Sequence, residues 1–142
     1  MCTTAFGREV VAFAPLSIVP WGVTVRQEDS EDCLVLNVYT PDLDAKARRP
    51  VMFYIHGGGF SRGAGEGSAL DGTNLAKFGD AVVITVNHRL NVFGYTNLGH
   101  LDPQFADAAN AGQLDLIAAL KWVKTNVHVF GGDAGNVTVF GQ

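Results

Sequence analysis

Residues 51–60 read Val-Met-Phe-Tyr-Ile-His-Gly-Gly-Gly-Phe, a continuous apolar run that meets three consecutive glycines. An uninterrupted apolar run of this length is typical of a strand that is buried on both faces of a parallel sheet. The glycines remove side chains from the backbone directly after the strand, so that backbone can turn sharply or approach a ligand closely. The stretch therefore predicts a central strand, Val51–Ile55, with a glycine loop at its carboxyl end.

Three other segments have the composition of strands. Leu34–Tyr39 is rich in aliphatic residues, Ala81–Val86 repeats the continuous apolar pattern, and Val137–Phe140 forms a final short run. The polar and charged residues 42–50 suit a hairpin turn that would join Leu34–Tyr39 to the central strand. Four strands are therefore expected, with the first two as neighbours in the sheet.

Two helices are predicted between these strands. A short one covers Thr73–Phe78, with Asp71 or Thr73 as its cap and Gly79 as its stop. A longer one runs from about residue 108 to 127 and ends before glycines 131 and 132. Its apolar stripe is assigned to residues at three- and four-residue spacing: Leu114, Ile117, Leu120 or Lys121, Val123 and Val127.

The order of these elements decides the fold class. Strand, strand, helix, strand, helix, strand favours an α/β layered fold with a mostly parallel sheet and flanking helices. Residues 89–106 are expected to be a long connection without regular structure. Residues 1–29 show no clean periodicity and are expected to be an irregular segment, whereas 30–142 form a single α/β domain.

Composition excludes several classes of function. The 142 residues are 47% hydrophobic and 17% charged with a net charge of −4, which is typical of a globular domain. No basic stripe is present for nucleic acid, and no polybasic patch for a membrane surface. The longest apolar stretch, Val10–Trp21, is interrupted by prolines and is too short to span a bilayer. Neither nucleic acid nor a membrane is therefore expected as a partner.

The two cysteines, Cys2 and Cys33, are predicted to be free thiols, although one bridge is possible. The first residues also lack the basic region of a secretion signal. These two observations favour a cytoplasmic location.

The glycine loop carries the chemistry that can be inferred from the residues. When a hydroxyl attacks an ester carbonyl, negative charge develops on the carbonyl oxygen, and backbone N–H groups held in place beforehand stabilise it. Convergent N–H groups require a backbone without side chains, which consecutive glycines supply. A glycine turn that only reverses the chain is an equally good interpretation of this feature alone. A phosphate-binding loop is not favoured, because the Gly-x-x-x-x-Gly-Lys-Ser/Thr pattern is absent and residues 63–67 lack the dinucleotide spacing.

The four histidines do not form a metal-binding pattern. His56, His88, His100 and His128 are scattered and show no His-x-x-x-His pair, so no metal is expected. His56 is predicted to orient the glycine loop through side-chain hydrogen bonds. For the other three, a buried histidine bonded to the backbone is the simplest interpretation.

The last six residues, 137–142, read Val-Thr-Val-Phe-Gly-Gln. They are similar to a strand that runs into the first two positions of a Gly-x-Ser-x-Gly turn, in which the nucleophilic serine would be the next residue. With the glycine loop upstream, this arrangement predicts half of an acyl-transfer site without its nucleophile. None of the four histidines is expected to be the catalytic base, since in this arrangement the acid and histidine follow the serine.

Taken in order along the chain, these motifs resemble the type-B carboxylesterases, the family that includes cholinesterases and bacterial para-nitrobenzyl esterases. The matching segments share their order with the family and cover about residues 30–142: residues 30–41, 56–60, 87–95, 110–115, 119–123 and 130–142. Asn91 stands where the family has glycine, and His88 lies in a segment where the family has tyrosine. The resemblance implies a partial α/β-hydrolase fold and a carboxylic-ester hydrolase.

The resemblance also implies roles for individual residues. The N–H groups of Gly58 and Gly59 would be oxyanion donors, and Phe60 would contact substrate. Arg89 and Asp115 would form a buried structural ion pair, and Glu31 would occupy a second ion-pair position whose arginine lies upstream. No cofactor is implied, and the partner is a small-molecule carboxylic ester.

The same resemblance implies that the chain is a piece of a longer enzyme. Without serine, acid and histidine it is expected to be inactive alone, and an unpaired edge of its last strand is expected to promote self-association. The alternative is a catalytically dead cholinesterase-like protein that serves in binding or adhesion.

Overall fold

The computed structural model describes residues 2–3, 29–66 and 70–142, with side chains from Glu31 onward. Two short strands, β1 (Cys2–Thr3) and β2 (Asp29–Ser30), pair in antiparallel fashion. Most of the segment predicted to be irregular, 1–29, lies outside the described residues.

A four-stranded sheet forms the centre of the domain. Its strands are β3 (Leu36–Tyr39), β4 (Arg49–Ile55), β5 (Val82–Val86) and β6 (Gly132–Gly141), in the order β3-β5-β4-β6. Strand β4 runs parallel to both β5 and β6, whereas β3 runs antiparallel to β5. The prediction of a mostly parallel sheet with an apolar central strand is confirmed.

The predicted hairpin between β3 and β4 is wrong. Strand β3 pairs with β5, with Leu36 opposite Val86, so the chain crosses to β4 without placing the two strands side by side. The connection is anchored by side chains instead of a tight turn. The Thr40 hydroxyl donates to the Phe130 carbonyl at 2.9 Å, and Asp42 accepts two hydrogen bonds from Arg49 at 2.8 and 2.9 Å. A polar segment therefore spans one end of the sheet.

The helices are α1 (Thr73–Gly79), α2 (Asn91–Tyr95) and α3 (Ala111–Asn126). Short 3₁₀ turns cover Pro103–Phe105, Ala108–Asn110 and Val127–Phe130, so the long predicted helix is continued by a turn at each end. Helix α2 was predicted to be irregular because it contains Gly94, which disfavours helix. A Cβ at Gly94 would overlap the Arg89 carbonyl, so close approach explains the glycine.

The predicted apolar stripe of α3 mixes two faces of the helix. Leu116, Val123 and Val127 are buried and pack on the sheet, whereas Leu114 and Ile117 are 42% and 47% exposed. Residues 116, 120, 123 and 127 follow the helical period, and 114, 117 and 121 form a separate face. The core joins the buried face of α3 to inward residues of β3, β4 and β5, among them Val38, Phe53 and Ile84.

The prediction of two free thiols is wrong. Cys33 is buried and disulfide-bonded, and the sequence contains one other cysteine, Cys2. A disulfide removes one of the two grounds for favouring a cytoplasmic location. Among the described residues, no helix is long and apolar enough to cross a bilayer.

Candidate functional site

The ends of two parallel strands bring the glycine loop and the last residues together. Ile55 of β4 lies opposite Gly141 of β6, and the Gln142 N–H reaches the Ile55 carbonyl at 3.4 Å. A Cβ at Gly141 would overlap that carbonyl, and a Cβ at Gly57 would lie 2.5 Å from the Gln142 side-chain oxygen. Gln142 therefore lies directly against the start of the loop, at the carboxyl edge where open α/β sheets bind ligands.

The loop has a backbone that ordinary residues rarely adopt. Gly58, Gly59 and Phe60 have consecutive positive φ values of 125°, 63° and 63°. A side chain at Gly58 would overlap the Arg62 carbonyl, whereas Gly59 has open space on its Cβ side, with no atom within 4 Å. The loop is closed by Ser61, whose N–H and hydroxyl both bond the Gly58 carbonyl, at 3.2 and 3.0 Å.

The predicted oxyanion donors are accessible to a ligand. Within the described part of the chain, the N–H groups of Gly58 and Gly59 donate to no protein acceptor. Unused backbone donors in a glycine loop beside a sheet edge are suited to hold an oxygen atom that carries developing negative charge. The roles assigned to Gly58 and Gly59 remain predictions.

His56 supports the loop from beneath. Its side chain is 6% exposed, and its Nδ1 lies 2.9 Å from the Gly57 carbonyl, as expected of a residue that orients the loop. Its ring stacks on that of His88 at a centroid distance of 4.6 Å and an interplanar angle of 15°. This pair was not predicted, because the two rings meet only through the pairing of β4 with β5.

His88 is bonded to the backbone, as the simplest interpretation predicted. Its Nδ1 lies 3.2 Å from the Arg89 carbonyl and 3.4 Å from the Tyr95 hydroxyl. Burial lowers the pKa of His88 below its usual value, and the neighbouring His56 lowers it further. The same interpretation is wrong for His100 and His128, since both are exposed.

Arg89 and Asp115 form an ion pair, but only the aspartate is buried as predicted, because the Arg89 side chain is 43% exposed. Arg89 donates from Nε and Nη2 to the two carboxylate oxygens at 2.8 and 2.7 Å, and its backbone N–H also reaches the carboxylate at 2.9 Å. The Asp115 side chain is only 7% exposed, and its hydrogen bonds raise the pKa of Arg89. The pair ties the end of β5 to helix α3, and so fixes one side of the site.

Phe60 and α2 form the outer wall of the loop. The Phe60 carbonyl accepts the Asn91 N–H at 2.7 Å, and the Phe60 ring meets Tyr95 edge-to-face at 4.9 Å. Asn91 has a φ of 54°, a conformation that glycine and asparagine tolerate best, so it is compatible with the glycine that the resemblance implies at this position. Phe60 is 60% exposed and lines an open depression with Gly59 and Thr96, and its contact with substrate remains a prediction.

The remaining predicted residue, Glu31, does not join this cluster. It is exposed, and no ion pair to it occurs among residues 31–66 and 70–142. In the same described residues, no group of three or more acidic, histidine or cysteine side chains is placed to bind a metal ion. The site therefore consists of backbone donors, two stacked histidines and an aromatic wall.

Comparison with known proteins identifies the family. Residues 11–142 match the model of the carboxylesterase family, which extends upstream of the segments that carry the resemblance in sequence. The chain is 44% identical over 139 residues to the para-nitrobenzyl esterase of Bacillus subtilis, covering 98% of this chain and 27% of that protein. It is 49% identical over 113 residues to human carboxylesterase 3, covering 79% of this chain and 19% of that protein.

Solved structures give the same answer. An esterase from Clostridium hathewayi, described as able to hydrolyse aliphatic aromatic polyesters, superposes with a TM-score of 0.80 at 49% identity, over 89% of this chain and 26% of that one. A carboxylesterase from Geobacillus stearothermophilus superposes with a TM-score of 0.76 at 52% identity, over 79% of this chain and 24% of that one. The chain thus spans 27% or less of the length of each of these relatives, and its fold is that of α/β-hydrolase esterases. It belongs to the carboxylesterase family.

Proposed function

We propose that this chain supplies the oxyanion-hole half of a serine carboxylesterase site. The observation that carries the proposal is the contact between Gln142 and Gly57, which puts the end of β6 beside the glycine loop. A serine that follows Gln142 in a longer chain would leave the sheet next to the unused N–H groups of Gly58 and Gly59. A nucleophile and its oxyanion donors must both lie close to the same carbonyl group, and the proximity of Gln142 to the glycine loop supports such an arrangement.

The reaction follows from the roles of these groups. The serine oxygen adds to the ester carbonyl, a histidine takes the serine proton, and the carbonyl oxygen becomes an oxyanion. The Gly58 and Gly59 N–H groups stabilise that oxygen until the alcohol leaves with the proton. Water then cleaves the acyl-enzyme by the reverse sequence of transfers. The serine, acid and histidine are contributed by residues outside this chain.

The substrate class that we propose is small-molecule carboxylic esters. The related enzyme from Bacillus subtilis is named for para-nitrobenzyl esters, which makes such an ester the natural probe. The Phe60 and Tyr95 rings beside Gly59 offer an aromatic surface of the kind that such a probe would contact.

A chimera tests this function directly. Residues 30–142 of this chain replace the matching segment of the Bacillus subtilis para-nitrobenzyl esterase, which then provides the serine, acid and histidine. We expect hydrolysis of a para-nitrobenzyl ester within about tenfold of the parent, since every backbone donor is retained. A folded chimera that lacks hydrolysis would contradict the proposal and favour a binding or adhesion role.

The chain alone is expected to lack this activity. Incubation of the 142-residue chain with a fluorophosphonate probe should give no specific labelling, with the chimera as the positive control. Labelling of Ser61 or any other serine in the chain at the rate of the chimera would contradict the assignment of the nucleophile to another segment.

We also propose that the chain associates with itself through β6. One edge of β6 pairs with β4, and among the described residues no strand pairs with the other edge; Val139 and Phe140 are 48% and 36% exposed. Such association is prevented when a strand edge is paired with another strand or carries a charged side chain. Sedimentation should therefore show oligomers of the wild-type chain and fewer of Val139→Lys; a monomer at all concentrations would contradict the proposal.

A further inference from the structure

We propose that the stacked rings of His56 and His88 form an acid-sensitive support for the glycine loop: the pair holds the loop while His88 is uncharged and releases it when His88 is protonated. The inference rests on the proposed function only for its consequence on ester hydrolysis. The structural claim concerns the loop alone.

The stacking geometry limits the charge that the pair can carry. The rings are nearly parallel at 4.6 Å, and the two side chains are 6% and 4% exposed. Burial deprives an imidazolium ion at His88 of hydration, and the His56 ring stacked on it supplies no negative charge. A protonated His88 is therefore disfavoured in the stacked arrangement.

The hydrogen bonds show how the pair holds the loop. His56 Nδ1 donates to the Gly57 carbonyl at 2.9 Å, the peptide that precedes the two predicted oxyanion donors. Gly63, at the other end of the loop, lies so close to the His56 ring that a Cβ there would overlap Nδ1. The His56 ring thus touches both ends of the loop, and His88 fixes that ring from its other face.

The charged and titratable groups around His88 act in opposite directions. Besides His56 from the loop, Asp115 from α3 favours the protonated ring, and the Tyr95 hydroxyl of α2 lies near its Nδ1. The Asp115 carboxylate is already committed to Arg89. The pKa of His88 is lowered overall, by burial first and by His56 second.

Hydrogen exchange measured by mass spectrometry on the full chain tests the proposal. Exchange of peptides that cover residues 56–63 is followed from pH 7.5 to 5.0 and corrected for the intrinsic pH dependence of amide exchange. Below about pH 6.5, where an exposed histidine takes up a proton, loop protection should fall by up to tenfold per pH unit for each proton bound on opening.

Two substitutions distinguish acid-dependent release of the loop from a purely structural role of the rings. His88→Phe and His88→Tyr keep a flat ring against His56 but bind no proton in this range, so loop protection should persist at pH 5.5. His100→Phe is the control, because His100 is exposed, and it should behave as wild type. His56→Phe should lose loop protection at every pH, because the bond to Gly57 is gone.

The outcomes are decisive in both directions. Wild-type protection that does not change between pH 7.5 and 5.0 would overturn the proposal, and so would an equal acid-dependent loss in both His88 variants. Because hydrolysis is not measured, an inactive chimera would sink the proposed esterase function without affecting this result.

Discussion

The two ends of the parallel strands both contain residues with positive φ, but they differ in how their polar and charged groups are arranged. The region at the carboxyl ends, which we call the site rim, comprises residues 56–63, 87–91 and 142. Its two buried histidines stack, and positive φ occurs in it at Gly58, Gly59, Phe60, Gly63 and Asn91. At the amino ends, the opposite rim (residues 42–49, 80 and 131–135), charges are paired. For example, the Arg49 side chain bonds both Asp42 and Asp80.

The difference indicates what each rim is for. Buried polar rings and unused backbone donors cost stability, and they persist where the surroundings hold them for function. Paired, mostly exposed charges add little stability individually but leave no unsatisfied group. The charged groups are thus paired at the opposite rim, whereas backbone N–H groups at the site rim remain unused.

The largest difference is expected for ion pairs at the two rims. Asp115→Ala leaves the Arg89 guanidinium and backbone N–H without their carboxylate, and should lower the free energy of unfolding by about 1–2 kcal/mol, because water can solvate the Arg89 side chain, which is 43% exposed. Asp133→Ala removes an ion pair with Arg48, whose side chain is 75% exposed, and should change the free energy of unfolding far less. Urea unfolding followed by Trp122 fluorescence measures both. Equal losses would remove the distinction between the rims.

Acid should loosen the two rims in different pH ranges. The lowered pKa of His88 means that its stabilising contribution is complete above about pH 6.5 and is lost as the pH falls. At the opposite rim, Arg49 lowers the pKa of Asp42, and the Gly135 N–H followed by Arg48 lowers that of Asp133. Those contributions are complete above about pH 4 and are lost only below it.

Hydrogen exchange at pH 5.5 should therefore show the site rim loosened and the opposite rim protected. Peptides from residues 42–49 and 131–135 serve as the internal reference for peptides from 56–63. Simultaneous loss of protection at both rims as the pH falls to 5.5 would show that acid acts on the whole domain.

The smallest expected effect concerns two non-glycine residues with positive φ. Asn91, at the site rim, should be replaced by glycine with a change of no more than about 0.5 kcal/mol, whereas Asn91→Ala should cost about 1 kcal/mol through strain. Asp80, at the opposite rim, has a φ of 46° and also accepts from Arg49 at 2.6 Å. Asp80→Gly should therefore destabilise the fold more than Asn91→Gly, as thermal unfolding can establish; the reverse order would contradict this.

The sequence was sufficient to predict the central strands and the place of the loop. Apolar runs identified β4 and β5: β5 is buried on both faces, whereas β4 buries Val51 and Phe53 and leaves Met52 and Tyr54 half-buried. The predictions of a β3–β4 hairpin and of the apolar stripe of α3 were wrong. The local pattern of apolar residues does not determine which strands are neighbours or which helix face packs on the sheet. Strand order depends on contacts between distant residues, such as Leu36 with Val86.

The site was predictable to the extent that it follows from local motifs. His56 and the glycines are contiguous, and Arg89 with Asp115 was implied by resemblance. The stack of His56 on His88 was not predicted, because it requires knowing that β4 and β5 are parallel neighbours. The disulfide of Cys33 was missed as well, because the sequence alone does not show what lies close to this cysteine in the fold.

The measurement that tests the central claim most directly compares one glycine from each rim in the chimera. Gly58 and Gly131 both have positive φ, and a Cβ at either would crowd neighbouring atoms. Gly58→Ala should lower kcat/KM for a para-nitrobenzyl ester at least about a hundredfold, because displaced N–H groups no longer stabilise the oxyanion. Gly131→Ala should leave kcat/KM of the folded enzyme unchanged. A folded Gly58→Ala chimera with undiminished kcat/KM would contradict the assignment of the oxyanion hole to this loop.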